Sequence, residues 1–139
     1  MRLLDFLIGA IQVRYWNYKG TNYSLVYPNI YIGGIGHPKF KNYLRVDLLP
    51  EGKYIEIKYL DEGADLVNYL SGKKDPLLVY CNKGRGRSAL IVAAYLVKYQ
   101  SMKCYEAYRY LRNKRNVVYC TKEQLRSLRD YEKWISMIE

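Results

Sequence analysis

The stretch "LLVYCNKGRGRSALIVAAYL", residues 77–96, carries the chain from an apolar run, through a turn of small, polar and basic residues, into a second apolar run. Leu77 to Tyr80 is apolar throughout, as expected of a strand at the centre of a sheet covered on both faces. Ser88 to Tyr99 is nearly apolar all round and reads as a buried helix. A loop between such a strand and a helix N-terminus aims backbone N–H groups, and the positive end of the helix dipole, at whatever occupies its concavity. Gly84 and Gly86 let the backbone turn tightly enough to form that nest. The stretch therefore predicts a phosphate cradle. Nucleotide-binding cradles end in Gly-Lys-Ser/Thr and need no cysteine, whereas this one opens on Cys81 and closes on Arg87.

The rest of the composition suits that reading. With 139 residues, half of them apolar, the chain is sized for one domain around one core, residues 1–139. A formal charge of +10 draws anions such as phosphorylated proteins, nucleic acid or acidic lipid. Seventeen tyrosines against two phenylalanines make Tyr the main aromatic packing residue. The three cysteines, Cys81, Cys104 and Cys120, are widely and unequally spaced, unlike a disulfide scaffold or a zinc site, and fit a reducing, cytoplasmic setting. In "MRLLDFLIGAIQVRYW" the apolar residues Leu3, Leu4, Leu7, Ile8 and Ile11 recur at helical spacing in a run too short to span a bilayer. A helical extension over residues 1–20, lying on the core rather than on a membrane, is expected.

Further along, "SLVYPNIYIGG" reads as one or two short strands closed by Gly33 and Gly34. "YLRVDLL" at 43–49 and "KYIEIKYL" at 53–60 are two more strand candidates, the second because apolar and charged residues alternate in it. "ADLVNYLSG" predicts a short helix ended by Gly72, and Asp75-Pro76 breaks the chain before the cradle strand. "KCYEAYRYLRNKR" and "TKEQLRSLRDYEKWISMI" predict two closing helices, the last with Thr121 and Gln124 at capping-box spacing. Strands leading into helices, with a helical C-terminal half, make an α/β domain.

A sulfur facing the nest has its anion stabilised by the donors that would hold a phosphate, so Cys81 is expected to work as a thiolate. A thiolate at the base of a phosphate cradle is placed for in-line attack on phosphorus, giving a cysteinyl phosphate that water hydrolyses. The planar fork of Arg87 suits two phosphate oxygens at once. Departure of the leaving alkoxide or phenoxide needs a proton, so an acid is expected on a loop facing the cradle.

"YCNKGRGRS" resembles the Cys, five residues, Arg, Ser signature of the cysteine-dependent protein tyrosine phosphatases, in the setting of their dual-specificity branch. "YPNIYIGG" at 27–34, "IEIKYLD" at 55–61 and "EAYRYLRNKR" extend the resemblance over residues 24–135 as a phosphatase core. It implies a single α/β domain with a central, mostly parallel sheet flanked by helices, and catalysis with no metal and no cofactor. By the resemblance Cys81 is the nucleophile, Arg87 the phosphate clamp, and Ser88 the hydroxyl that eases departure of the sulfur. Asn82, Lys83, Gly84, Arg85 and Gly86 join Arg87 in binding the phosphate. Asp61 matches the general acid in its local setting, with Asp65 the alternative, although only nineteen residues separate Asp61 from Cys81. Tyr80 stands where the family usually has His, and the lone His37, beside Pro38, reads as a surface-turn residue. Phosphotyrosine and phosphoserine or phosphothreonine in proteins are the implied substrates. A polyanion such as a phosphoinositide, another phospholipid or an RNA 5′ end is the alternative suggested by Lys83 and Arg85, and a phosphate-binding module without turnover is the rival class. No stable nucleic-acid complex is expected, because no aromatic and basic platform interleaves along the chain.

Overall fold

The computed structural model describes residues 22–35 and 40–139; the expected N-terminal helix and His37 fall outside them. Strands β1 (Tyr23–Tyr27) and β2 (Ile30–Gly33) form an antiparallel hairpin, and β3 (Asn42–Arg45) and β4 (Leu77–Tyr80) complete a four-stranded sheet of order β1-β2-β4-β3. β4 runs parallel to both neighbours, with Tyr80 opposite Gly33 on one side and Arg45 on the other. The hairpin turns at Asn29, whose φ of 67° suits a residue that tolerates the left-handed region. Its side-chain amide donates to the Ser71 carbonyl at 2.8 Å, fastening the hairpin to the end of the first helix.

Four helices follow: α1 (Ile57–Ser71), α2 (Arg87–Tyr99), α3 (Cys104–Lys114) and α4 (Lys122–Ile138). α2 lies at their centre, and every residue from Arg87 to Val97 is buried, which explains its lack of a polar face. α1 packs closely on it, since a Cβ on Gly63 would come within 2.7 Å of Ile91 Cδ1. Period-2 alternation along β4 sends Leu77 and Val79 into the helix-side core, while Leu78 and Tyr80 join Phe40 in a smaller cluster on the other face. Cys81 continues the alternation and belongs to the helix side. No described helix is long and apolar enough to cross a membrane.

One expected element is corrected. "KYIEIKYL" is not a strand: the chain is irregular to Glu56, and helix α1 begins at Ile57. Ile57, Leu60, Ala64 and Val67 satisfy helical spacing as well as Tyr54 to Tyr59 satisfy alternation, and the long helix buries Leu60, Ala64 and Val67 against α2. Neither reading could be preferred from eight residues. The helix predicted from Ala64 is the second half of α1. β3 also stops early, at Arg45, after which one further parallel bond joins Val46 N–H to the Tyr80 carbonyl at 2.9 Å.

Candidate active site

The cradle is fixed at each end by regular structure. Cys81 N–H donates to the Gly33 carbonyl at 3.3 Å, extending the β2–β4 pairing, and Leu90 N–H donates to the Gly86 carbonyl at 2.8 Å, starting α2. Between them Gly84 adopts a φ of +68°, and a Cβ there would come within 2.7 Å of the Gly33 carbonyl oxygen and 2.8 Å of Arg115 Nη2. Left-handed backbone and close approach both require glycine at this point. Gly86 meets a second constraint: a Cβ would press on the Gln124 amide at 3.1 Å and the Tyr119 carbonyl at 3.2 Å.

A cavity of about 270 Å³ opens over the loop, with Cys81, Lys83, Arg85, Gly86 and Arg87 on its floor and sides. Cys81 is 2 % exposed and its sulfur lies 3.3 Å from the hydroxyl of Ser88, itself a fully buried residue. Arg87 is anchored by Nη1, which donates to the carbonyls of Asp47 at 2.6 Å and Leu49 at 3.2 Å. Among the described residues nothing bonds its Nε or Nη2, which leaves donors for a ligand. Behind the loop, Arg115 donates to the carbonyls of Gly84 at 2.9 Å and Lys83 at 3.3 Å, and to Ser24 Oγ and Asn22 Oδ1. By binding these carbonyls it fixes the orientation of two of the loop's peptide units. Burial lowers the Arg115 pKa, the Cys81 charge opposes that shift, and Arg85 adds to it. Cys120, also at the back of the loop, is the contrasting thiol: burial, with the Cys81 charge as a second cause, pushes it up to about 12.

The structure thus brings together Cys81, Ser88, Lys83, Gly84, Arg85, Gly86 and Arg87. Asn82 contributes through its carbonyl, which accepts from Ile35 N–H at 3.2 Å, and its side chain does not line the cavity. Asp61 is not brought to the site. It lies within α1, where Oδ1 accepts from Lys98 Nζ at 2.8 Å and from the Tyr131 hydroxyl at 2.7 Å. Lys98 is eleven residues along α2 from Arg87, about 16 Å at 1.5 Å per residue. The assignment of Asp61 as general acid is therefore withdrawn: its carboxylate holds α1 to α2 and α4. Asp65, the alternative, binds Lys98 and Tyr99 in the same cluster. Burial works against the Lys98 charge, but the hydrogen bonds it donates to Asp61 and Asp65 outweigh that and raise the pKa.

The carboxylate that does line the cavity is Glu51, in the turn "PEGK". Gly52 makes that turn with a φ of +69°, and its carbonyl accepts from Thr121 Oγ1 at 2.8 Å, so the start of α4 holds the turn over the cleft. Tyr119, Thr121 and Gln124 form the remaining wall. Sequence reasoning did not single out Glu51 because it sought a carboxylate after an expected strand that is a helix. A Pro-Glu-Gly turn following the β3 strand was the available signal.

The sequence profile described as the dual specificity phosphatase catalytic domain matches residues 26–134. Human dual specificity protein phosphatase 14 is 32 % identical over 109 residues, which cover 78 % of this chain and 54 % of that protein, so the chain spans about half of that relative's length. Among solved structures, human DUSP28 superposes with a TM-score of 0.71 at 17 % identity, over 85 % of this chain and 97 % of its own. PTPMT1 in complex with PI(5)P gives 0.71 at 16 %, over 85 % and 99 %. At those identities the superpositions speak for the fold alone, whereas the profile match spans most of the chain and takes in the whole cradle, from the thiol to the arginine that closes it. The chain belongs to the dual specificity phosphatase family.

Proposed function

We propose that this protein hydrolyses phosphomonoesters through a cysteinyl-phosphate intermediate. The observation that carries the reading is the Cys81 sulfur on the floor of a cleft toward which Arg87, anchored through one nitrogen only, keeps donors unspent. The Cys81 thiolate attacks phosphorus, the bond from phosphorus to the ester oxygen breaks, and that oxygen takes a proton from Glu51. Loop N–H groups and Arg87 hold the equatorial oxygens as charge develops. Water then attacks phosphorus, its proton passes to the Glu51 carboxylate, and the sulfur leaves with the Ser88 hydroxyl donating to it. Such a cycle needs a reduced thiol, and all three cysteines are free, which supports a reducing, cytoplasmic place of work.

Phosphotyrosine, phosphoserine and phosphothreonine in proteins are the substrates the family relationship favours. A second reading, a polyanionic lipid headgroup, has its own support: Lys83 and Arg85 both line the cleft, and the fold matches PTPMT1 solved with PI(5)P. Hydrolysis of a small aryl phosphate by the wild type, lost in Cys81→Ser, tests the reaction. Activity absent from the wild type would leave a phosphate-binding module. Rates on phosphopeptides against phosphoinositide vesicles separate the substrate classes. Glu51→Gln should slow poor leaving groups by about 10²-fold and good ones far less, since a good leaving group departs unprotonated. Equal slowing of both would remove Glu51 from the acid role.

A further inference from the structure

Arg87 is anchored on the turn that leaves β3, through the carbonyls of Asp47 and Leu49. That turn is itself tied down: Val46 N–H donates to the Tyr80 carbonyl at 2.9 Å, and Leu49 N–H donates to the Val46 carbonyl at 3.2 Å. Asp47 carries two groups that could receive a guanidinium, a neutral carbonyl and a carboxylate, and Arg87 uses only the carbonyl. The carboxylate goes to Arg45 instead, which donates from Nε to Oδ1 and from Nη2 to Oδ2. Period-2 alternation puts Arg45 on the sheet face of Tyr43, away from the helix-side core that takes Leu44 and Val46. The Asp47 side chain is only 15 % exposed, and Arg45 is its one ion-pair partner among the described residues. A carboxylate so poorly hydrated that lost this partner would turn to the nearest cation, and the cation already touching Asp47 is Arg87. A carboxylate is also a stronger acceptor for a guanidinium than a carbonyl is.

We propose that Arg45 is a positioning residue for phosphate binding: it holds the Asp47 carboxylate off Arg87, so that the clamp is anchored by neutral oxygens and keeps its charge and remaining donors for the ligand. Arg45 does not line the cleft and acts through Asp47. This rests on the reading of the cleft as a phosphate site with Arg87 as its clamp.

Sulfate binding is measured by calorimetry in a Cys81→Ser background, which keeps the cleft and removes the nucleophile. Arg45→Met frees the Asp47 carboxylate and should weaken sulfate binding on the order of 10-fold. Arg45→Gln, which can still bond the carboxylate but cannot neutralise it, should lose affinity too, and takes over as the probe should Arg45→Met unfold. Adding Asp47→Asn to either variant removes the freed charge and should recover most of the loss, although the ion pair is equally absent from the double variant. A pair that merely braced the turn would leave the double variant as weak as the single one. kcat/KM on an aryl phosphate, measured with Cys81 present, should fall in the Arg45 variants and recover in the double variants in the same proportion. Sulfate affinity unchanged in both Arg45 variants, or not recovered by Asp47→Asn, would overturn the proposal. No sulfate binding with Arg45 and Asp47 both intact would overturn the reading of the cleft itself, and the proposal with it.

Discussion

Arg87 and Arg115 are both buried, 8 % and 6 % exposed, and both are bound by oxygens that carry no charge. Among the described residues neither has the carboxylate partner that usually accompanies a buried guanidinium. They stand on opposite sides of one loop and differ in what is left over. Arg115 spends Nε, Nη1 and Nη2 on four protein oxygens, two of them carbonyls of the loop. Arg87 spends only Nη1 and faces the cleft with the rest. The first binds the loop's carbonyls and the second lines the cavity at its mouth. Unspent donors, rather than burial or charge, distinguish Arg87 from Arg115.

The strongest way to break this comparison is to exchange the fork for a point charge. Arg87→Lys should lower kcat/KM on the order of 10²- to 10³-fold with little change in stability, because one ammonium cannot both reach the Asp47 and Leu49 carbonyls and clamp two phosphate oxygens. A rate within a few-fold of wild type would place the clamp elsewhere. Arg115→Met should do the reverse first. It leaves the Gly84 and Lys83 carbonyls without their donor and should cost about 2–4 kcal/mol in denaturant unfolding. If Arg115→Met unfolds like wild type, the loop is shaped by its glycines and strand ends alone.

Asp61→Asn sharpens the contrast between structure and chemistry at smaller amplitude. It weakens the contacts to Lys98 and Tyr131 but leaves Asp65 on Lys98, so about 1 kcal/mol of stability should go while kcat/KM is unchanged for poor and good leaving groups alike. Selective slowing of poor leaving groups would return Asp61 to the acid role. The smallest effect belongs to Cys120. Its thiol ionises near 9.0 when unfolded but only toward 12 when folded, so its contribution is complete below about pH 9 and is lost as pH rises through that interval. Cys120→Ala should flatten the fall in stability between pH 9 and 11, and an unchanged slope would assign that fall to other groups.

Much of this was legible before any coordinates. Leu77–Tyr80, the two glycines and the apolar helix after them state the cradle locally, because strand, turn and helix each have their own pattern and all three agree. Cys81 and Arg87 were read as site candidates from their place in that setting, and Ser88 from the resemblance to the family signature. The acid did not, because its place depends on how far the chain travels between β3 and β4, and "YIEIKYL" satisfies two periods at once. Asp61 was plausible on a strand end and is remote on a helix. The loop contacts of Arg115 and the packing of Gln124 against Gly86 were illegible for another reason. Each reaches the loop from more than thirty residues away, and no local pattern announces a side chain that serves a distant backbone. Tyr80 is intermediate: its departure from the usual His was visible, while its packing with Phe40, Leu78 and Tyr43 on the sheet face opposite Cys81 was not.

The central claim is that Cys81 carries the phosphoryl group in mid-reaction. Rapid mixing with an aryl phosphate, a millisecond acid quench, digestion and mass measurement of the peptide containing Cys81 test it directly. The account predicts a peptide heavier by one phosphoryl group that forms within the first turnover and never appears in Cys81→Ser. Steady turnover with no such adduct, persisting in Cys81→Ser, would contradict it.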